Sequence, residues 1–178
     1  MRLVLMPRWS GTATSDWYPW LADELETPVT VAELDVPDAP TIEGCVARLR
    51  AAVGDDPDTY LVGHSVSCLA IVHMLAAFSE GRVPGAVFVA GWWHVDEPWD
   101  TLRPWMETPV DAAAARRAVD RSYVLLSDND PFTADHRETS RLWRERLGAD
   151  VRIVPGAAHF NGTREPAVRD LIAHALRA

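Results

Sequence analysis

The stretch that decides the fold is residues 59–75, "TYLVGHSVSCLAIVHML". Its first residues, 59–62, are typical of a buried strand, and the apolar run over 66–78 predicts a helix. The short sequence "GHS" joins them and leaves Ser65 on a sharp turn. Many enzymes carry a serine nucleophile on such a strand–turn–helix, usually within Gly-x-Ser-x-Gly. The stretch therefore predicts a nucleophile turn, although Ser67 stands where the closing glycine is usual.

Strand and helix patterns alternate on both sides of this turn. Further strands are predicted over residues 3–6, 29–37, 86–90, 122–128 and 151–155. Further helices are predicted over residues 15–26, 41–54, 134–148 and 166–176. Such alternation is typical of an α/β fold with a mostly parallel sheet of about six strands and helices on both faces. We expect a compact single domain over residues 1–178 without a large cap domain, with 91–109 as its longest irregular segment.

The composition excludes several classes of function. A net charge of −9 argues against a nucleic-acid or membrane partner, because both require basic patches. All 17 basic residues are arginine, so neither a Walker A lysine nor a lysine Schiff base is possible. No apolar run approaches the roughly 18 residues of a membrane span, and the start lacks a signal-peptide pattern. A cytoplasmic location is therefore expected.

The two cysteines do not indicate a cofactor or a cross-link. Cys45 and Cys68 both fall within apolar helical patterns, where a thiol is usually a small buried side chain. Their spacing supports neither a disulfide nor a metal site, so two free buried thiols are expected. No metal ion and no organic cofactor is predicted for this chain.

Polar residues that follow predicted strands define a candidate site, because ligands bind beyond the carboxyl ends of an open parallel sheet. The residues concerned are Ser65 after the third strand, Asp128 and Asp130 after the fifth, and His159 after the sixth. This is the chain order of an α/β-hydrolase triad, in which histidine takes the serine proton and the carboxylate orients histidine. Alone, each also has an ordinary structural interpretation, such as a helix cap for the serine. The residues leave the choice between the two aspartates open, and His94 is a weaker alternative base.

A serine nucleophile also requires N–H donors for the charge that develops on the attacked carbonyl. The first expected donor is the backbone N–H of Val66, at the start of the helix after Ser65. The second should come from the loop after the first strand, where Trp9 is the best candidate. Arg8, beside it, either approaches an acidic group of the substrate or points to solvent.

Tryptophans are concentrated in two loops that should lie near Ser65. The chain has eight tryptophans, and five of them follow the first or the fourth strand: Trp9, Trp92, Trp93, Trp99 and Trp105. Trp92, Trp93 and Trp105 are predicted to bind the apolar part of a substrate. Two alternatives are a local core that packs the loop 91–109 onto the domain, and an exposed patch that binds a protein partner.

Five motifs together resemble a known family. They are "DWYPWLADEL" at 16–25, "LVGHS" at 61–65, "RPW" at 103–105, "SDNDPF" at 127–132 and "AAHFNG" at 157–162. The chain resembles, over nearly its whole length, the small serine hydrolases typified by retinoblastoma-binding protein 9 and the bacterial YdeN-like proteins. The resemblance implies a compact α/β-hydrolase whose acid is Asp130, before Pro-Phe, and whose base is His159. Arg8 and Ser67 depart from the family pattern, since both replace a glycine.

These observations predict a serine hydrolase that cleaves a small ester, thioester or amide through an acyl-enzyme. Ser65 is the predicted nucleophile, His159 the base and Asp130 the acid that orients it. The alternative from another class is a non-catalytic protein-binding module on the same fold, with the tryptophan-rich loop 91–109 as its interface. The sequence indicates neither a particular substrate nor a particular protein partner.

Overall fold

A six-stranded sheet forms the centre of the computed structural model, which describes residues 1–54, 56–78, 81–133 and 135–178. The strands are β1 (Arg2–Met6), β2 (Val29–Val31), β3 (Thr59–His64), β4 (Ala86–Val89), β5 (Ser122–Ser127) and β6 (Asp150–Val154). Their order is β2-β1-β3-β4-β5-β6, and every neighbouring pair is parallel. The predicted α/β sheet is confirmed, although β2 is shorter than the nine-residue pattern that predicted it.

Helices cover both faces of the sheet. They are α1 (Tyr18–Glu24), α2 (Ile42–Val53), α3 (Val66–Ala76), α4 (Arg103–Glu107), α5 (Ala112–Arg117), α6 (His136–Leu147) and α7 (Pro166–Arg177). The pattern at 91–109 predicted no helix, yet α4 lies within it and α5 follows it. Both are too short, at five and six residues, to show a helical period. Ala134, the first residue of one predicted helix, lies outside the described residues.

Alternate residues of each central strand pack into two separate cores, as the period of a strand requires. Leu3 and Leu5 of β1 join the core beneath α1 and α7, whereas Val4 and Met6 join the core beneath the other helices. Both predicted thiols, Cys45 and Cys68, are buried and free. None of the helices in the described parts of the chain has the length and apolarity to cross a bilayer.

Because all strands run in one direction, the loops after them meet at one edge of the sheet. This edge is also where the backbone is most strained. In the described parts of the chain, six non-glycine residues have a positive φ: Ser10, Asp16, Ser65, Ala90, Ala158 and Phe160. Each lies on the turn or loop after β1, β3, β4 or β6. Such conformations cost about 1–3 kcal/mol each and tend to occur at functional sites.

Candidate active site

Ser65 lies on the sharp turn between β3 and α3. Its backbone has φ 59° and ψ −123°, which presents the side chain at the end of the strand. Its N–H donates to the carbonyl oxygen of Val89 at 2.8 Å, which ties the turn to β4. The hydroxyl does not cap α3, so the side chain is not occupied as an ordinary helix cap.

The residues two before and two after Ser65 determine how closely the turn packs. A Cβ on Gly63 would lie 2.9 Å from the backbone nitrogen of Cys68, so only glycine fits there. Ser67 is fully buried, and its hydroxyl donates to the carbonyl oxygen of Pro7 in the loop after β1. The serine that replaces the usual glycine therefore joins the turn to the loop that carries Arg8 and Trp9.

His159 and Asp130 form a buried pair at the ends of β6 and β5. Nδ1 of His159 lies 2.8 Å from Oδ2 of Asp130, and both side chains are almost completely buried. The other carboxylate oxygen of Asp130 accepts the N–H of Phe132 at 2.9 Å, which fixes the orientation of the carboxylate. Since Nδ1 donates to Asp130, the neutral ring has a free lone pair on Nε2.

The two residues before Asp130 hold the loop after β6 rather than the imidazole. Asp128 accepts the N–H of Gly156 at 2.8 Å, and Asn129 accepts the N–H of Ala158 at 2.8 Å. Three consecutive side chains of "SDNDPF" thus contact the segment that carries His159. The sequence indicated the motif, but it did not indicate that Asn129 binds the backbone next to His159.

The backbone around His159 is strained, and two ring N–H groups donate hydrogen bonds to its carbonyl oxygens. Ala158 and Phe160, on either side of it, have φ values of 49° and 54°. Nε2 of His64 lies 2.8 Å from the carbonyl oxygen of His159, and Nε1 of Trp17 donates to that of Phe160 at 3.0 Å. These contacts stabilise a conformation that the chain would not adopt alone.

His64 also connects this turn to the loop after β1. Because a carbonyl oxygen only accepts, Nε2 of His64 carries the proton and Nδ1 accepts from the hydroxyl of Tyr18 at 2.7 Å. The oxygen of Tyr18 in turn accepts the N–H of Arg8 at 3.0 Å. Burial, and then the charge of His159, place the pKa of His64 well below 6.5, while burial raises the pKa of Tyr18. No pattern in the sequence indicated this chain of contacts.

The residues of the two expected oxyanion donors line the same cavity as Ser65. Val66 and Trp9 both line the cavity that contains Ser65 and His159. Neither backbone N–H donates to an acceptor within the described residues. Val66 is the first residue of α3, so its N–H also lies at the positive end of the helix dipole.

Comparison with known proteins identifies the family of the chain. The model of the Serine hydrolase family matches residues 3–165. The chain belongs to the serine hydrolase family. The expected family is thereby confirmed, and the protein is a hydrolase. A search of the curated proteins finds no significant match.

Solved structures share the fold of this serine hydrolase at low sequence identity. The ydeN gene product from B. subtilis is 20% identical, with a TM-score of 0.87 and 99% of both chains covered. A YdeN-like hydrolase from Pectobacterium atrosepticum is also 20% identical, with a TM-score of 0.69 and coverage of 98% of this chain and 90% of that one. The RedJ thioesterase of prodiginine biosynthesis in Streptomyces coelicolor is 21% identical, with a TM-score of 0.64 over 99% of this chain and 84% of that one.

A cavity of about 160 Å³ lies over Ser65 in this serine hydrolase. Trp92 lines it, together with Trp99 from the same loop. The structure does not bring Trp93 or Trp105 to it. Trp93 packs against Trp143 at a ring-centroid distance of 4.9 Å, and Trp105 donates to the carbonyl oxygen of Pro40. Both contribute to the core behind the loop, Trp93 from the position next to Trp92 and Trp105 from α4.

Arg8 and His94, the two other residues considered from sequence, differ in their position relative to the cavity. Arg8 lines the cavity, and its side chain is 26% exposed. It forms a two-point ion pair with Asp16, at 2.7 and 3.1 Å, and also donates to the carbonyl oxygen of Trp9. His94 is exposed, lies 4.0 Å from Asp96 and does not line the cavity.

Proposed function

We propose that this serine hydrolase cleaves a small ester, thioester or amide through an acyl-enzyme formed on Ser65. The observation that carries the proposal is the shared cavity. Ser65 on its strained turn and His159, held by Asp130, line the same space together with Val66 and Trp9. The substrate is a small molecule, because the cavity is a pocket in the protein and not an extended groove.

In the proposed reaction the hydroxyl oxygen of Ser65 attacks the substrate carbonyl while Nε2 of His159 takes its proton. Asp130 stabilises the imidazolium that forms, since its Oδ2 lies 2.8 Å from Nδ1. His159 then gives the proton to the departing alcohol, thiol or amine, and the acyl group stays on Ser65. Water, deprotonated by the same histidine, releases the acyl group as a carboxylic acid.

The charge on the tetrahedral intermediate would be stabilised by the N–H groups of Val66 and Trp9. Each such donor typically contributes a factor of about 10²–10³ to kcat. Within the described residues, Ser65 and His159 share no direct hydrogen bond. The proposal therefore requires the two side chains to approach when substrate binds, which is common for catalytic pairs in unliganded hydrolases.

A fluorophosphonate probe tests the proposal directly, because it reacts with an activated serine and leaves a stable adduct. We expect labelling of the wild type at Ser65 and none of Ser65→Ala. Ser122→Ala is the matched control, since Ser122 is a buried serine on β5 outside the cavity. A folded wild-type protein that resists the probe, or a label on another residue, would refute the proposal.

The alternative of a protein-binding module has weaker support. Three of the four tryptophans in the loop 91–109 are buried, namely Trp92, Trp93 and Trp105. Only Trp99 is substantially exposed, and it lies at the cavity. The loop therefore offers little apolar surface to a partner apart from the entrance to the cavity itself.

A further inference from the structure

The walls of the cavity over Ser65 divide into a buried floor and an exposed rim. Trp92, Val95 and Leu102 are almost fully buried, and all three come from the segment after β4. Trp99 and Phe132 are 41% and 38% exposed and stand at the rim. Their ring centroids lie 6.5 Å apart in an edge-to-face arrangement, and Trp99 also packs against Trp9 at 5.0 Å. The side chains of this floor are therefore buried and apolar, whereas Ser10 and Asn161 add polar groups elsewhere in the lining.

The charges around the cavity are balanced. Among the described residues Arg8 is the only arginine that lines it, and Asp16 compensates its charge through two hydrogen bonds. No aspartate or glutamate of the described residues lines the cavity, so a substrate ammonium group would find no partner there. An acidic substrate group would have to compete with Asp16 for Arg8. A charged acyl chain placed against Trp92, Val95 and Leu102 would lose its hydration without compensation.

The volume limits the length of the group that the floor accepts. Apolar protein cavities of about 150 Å³ hold one benzene molecule, that is, about six carbon atoms. From the size, the apolar floor and the balanced charge, we propose that the site is an acyl pocket for an uncharged, apolar acyl group of about six carbons or one aromatic ring. This inference rests on the proposed function, since it concerns the acyl group that Ser65 would receive.

A series of p-nitrophenyl esters measures the acyl preference. From acetate to butanoate, kcat/KM should rise by about fourfold for each added methylene, as expected for burial of apolar surface. We expect a maximum at butanoate or hexanoate, with benzoate also accepted, and a fall of at least about tenfold at decanoate. A rate that keeps rising to decanoate, or that is flat across the series, would overturn the inference.

Enlarging the floor should change the preference in a defined direction. Leu102→Ala should raise the decanoate-to-butanoate ratio of kcat/KM by at least about tenfold, because the removed side chain opens space for three carbons. Leu147→Ala is the matched control, since Leu147 is an equally buried leucine of α6 outside the cavity. The inference fails if the ratio is unchanged in folded Leu102→Ala, or if the control shifts it equally.

The charge argument has its own test. Pentanoate and hemisuccinate esters have similar length, and the wild type should strongly prefer the neutral pentanoate. Asp16→Asn leaves Arg8 uncompensated, and asparagine tolerates the φ of 49° at this position. We expect the hemisuccinate-to-pentanoate ratio to rise by about fivefold in this variant. Equal turnover of both esters by the wild type, or an unchanged ratio in the variant, contradicts the balanced-charge argument.

The two levels of proposal fail differently. If the probe labels Ser65 but the ester profile shows no preference for short acyl groups, only the acyl-pocket inference is refuted. If Ser65 is not labelled and no ester in the series is hydrolysed above the spontaneous rate, the proposed function fails and the inference falls with it.

Discussion

Nε2 of the His64 imidazole lies 2.8 Å from the backbone carbonyl oxygen of His159, although the two residues are 95 positions apart in the chain. His64 precedes the candidate nucleophile, and His159 is the candidate base. The contact therefore joins the two loops whose relative position the proposed chemistry depends on. The buried ring makes this contact and accepts from the Tyr18 hydroxyl at the same time only as a neutral imidazole with its proton on Nε2.

The buried His64 should make stability depend on pH. Its pKa in the folded protein lies well below 6.5, because of burial and of the nearby charges of His159 and Arg8. Above pH 6.5 the ring is neutral in both states and makes no difference. Below pH 6.5 His64 binds a proton in the unfolded chain but stays neutral in the folded protein. The free energy of unfolding therefore falls by up to about 1.4 kcal/mol per pH unit.

Denaturant unfolding of wild type and His64→Gln between pH 7.5 and about 5 measures this effect. Glutamine retains one donor and one acceptor but does not titrate, so the variant should lose stability less steeply. Burial also lowers the pKa of His73, so part of the wild-type slope should remain. Parallel curves for wild type and His64→Gln would contradict the prediction. The exposed His94→Gln serves as control.

Tyr18 should be required for the same arrangement. Tyr18→Phe removes the donor to Nδ1 of His64 and the acceptor for the N–H of Arg8, and leaves both of these groups buried or half-buried without a partner. We expect a loss of about 1–3 kcal/mol in the free energy of unfolding. The rate of ester hydrolysis should fall as well, because a shift of Arg8 would also displace the adjacent Trp9, whose N–H is a proposed oxyanion donor. Tyr123→Phe is the control, because its hydroxyl makes no hydrogen bond within the described residues. Equal losses of the free energy of unfolding in Tyr18→Phe and Tyr123→Phe would show that the Tyr18 hydroxyl does not support this arrangement.

Ser67 should matter for catalysis more than for binding. Ser67→Ala removes the hydrogen bond to the carbonyl oxygen of Pro7, which connects the nucleophile turn to the loop that carries Trp9. A displaced Trp9 N–H would weaken the stabilisation of the oxyanion, an interaction stronger in the transition state than in the bound substrate. We expect kcat to fall by about tenfold with a smaller change in KM. If only KM changes, or if kcat falls no more than in Ser122→Ala, the role of Ser67 is structural only.

The sequence predicted the sheet because β3 and β4 are short apolar runs. It predicted that Ser65, the two candidates Asp128 and Asp130, and His159 lie near one another because parallel strands end at one edge. The choice of Asp130 came from the family resemblance. The contacts of Tyr18 and Ser67 had no comparable signal, since their partners lie 46 and 60 positions away. Trp93 was predicted at the cavity because the loop that carries it does lie beside the cavity. The direction of a side chain in an irregular segment, however, cannot be derived from composition. The single-domain organisation over 1–178 stays a prediction.

Asp130 and Asp128 differ in what they hold, and their asparagine variants should differ accordingly. In Asp130→Asn an amide that donates to Nδ1 would force the imidazole proton onto Nε2, which then cannot accept from Ser65, so kcat/KM should fall by about 10⁴-fold. In Asp128→Asn the Oδ1 that accepts from Gly156 remains, so kcat/KM should stay within about threefold. Ester turnover at pH 7.5, with thermal unfolding as a check on folding, compares the two. A larger loss in Asp128→Asn would move the acid to Asp128, despite the 2.8 Å contact of Asp130 with His159.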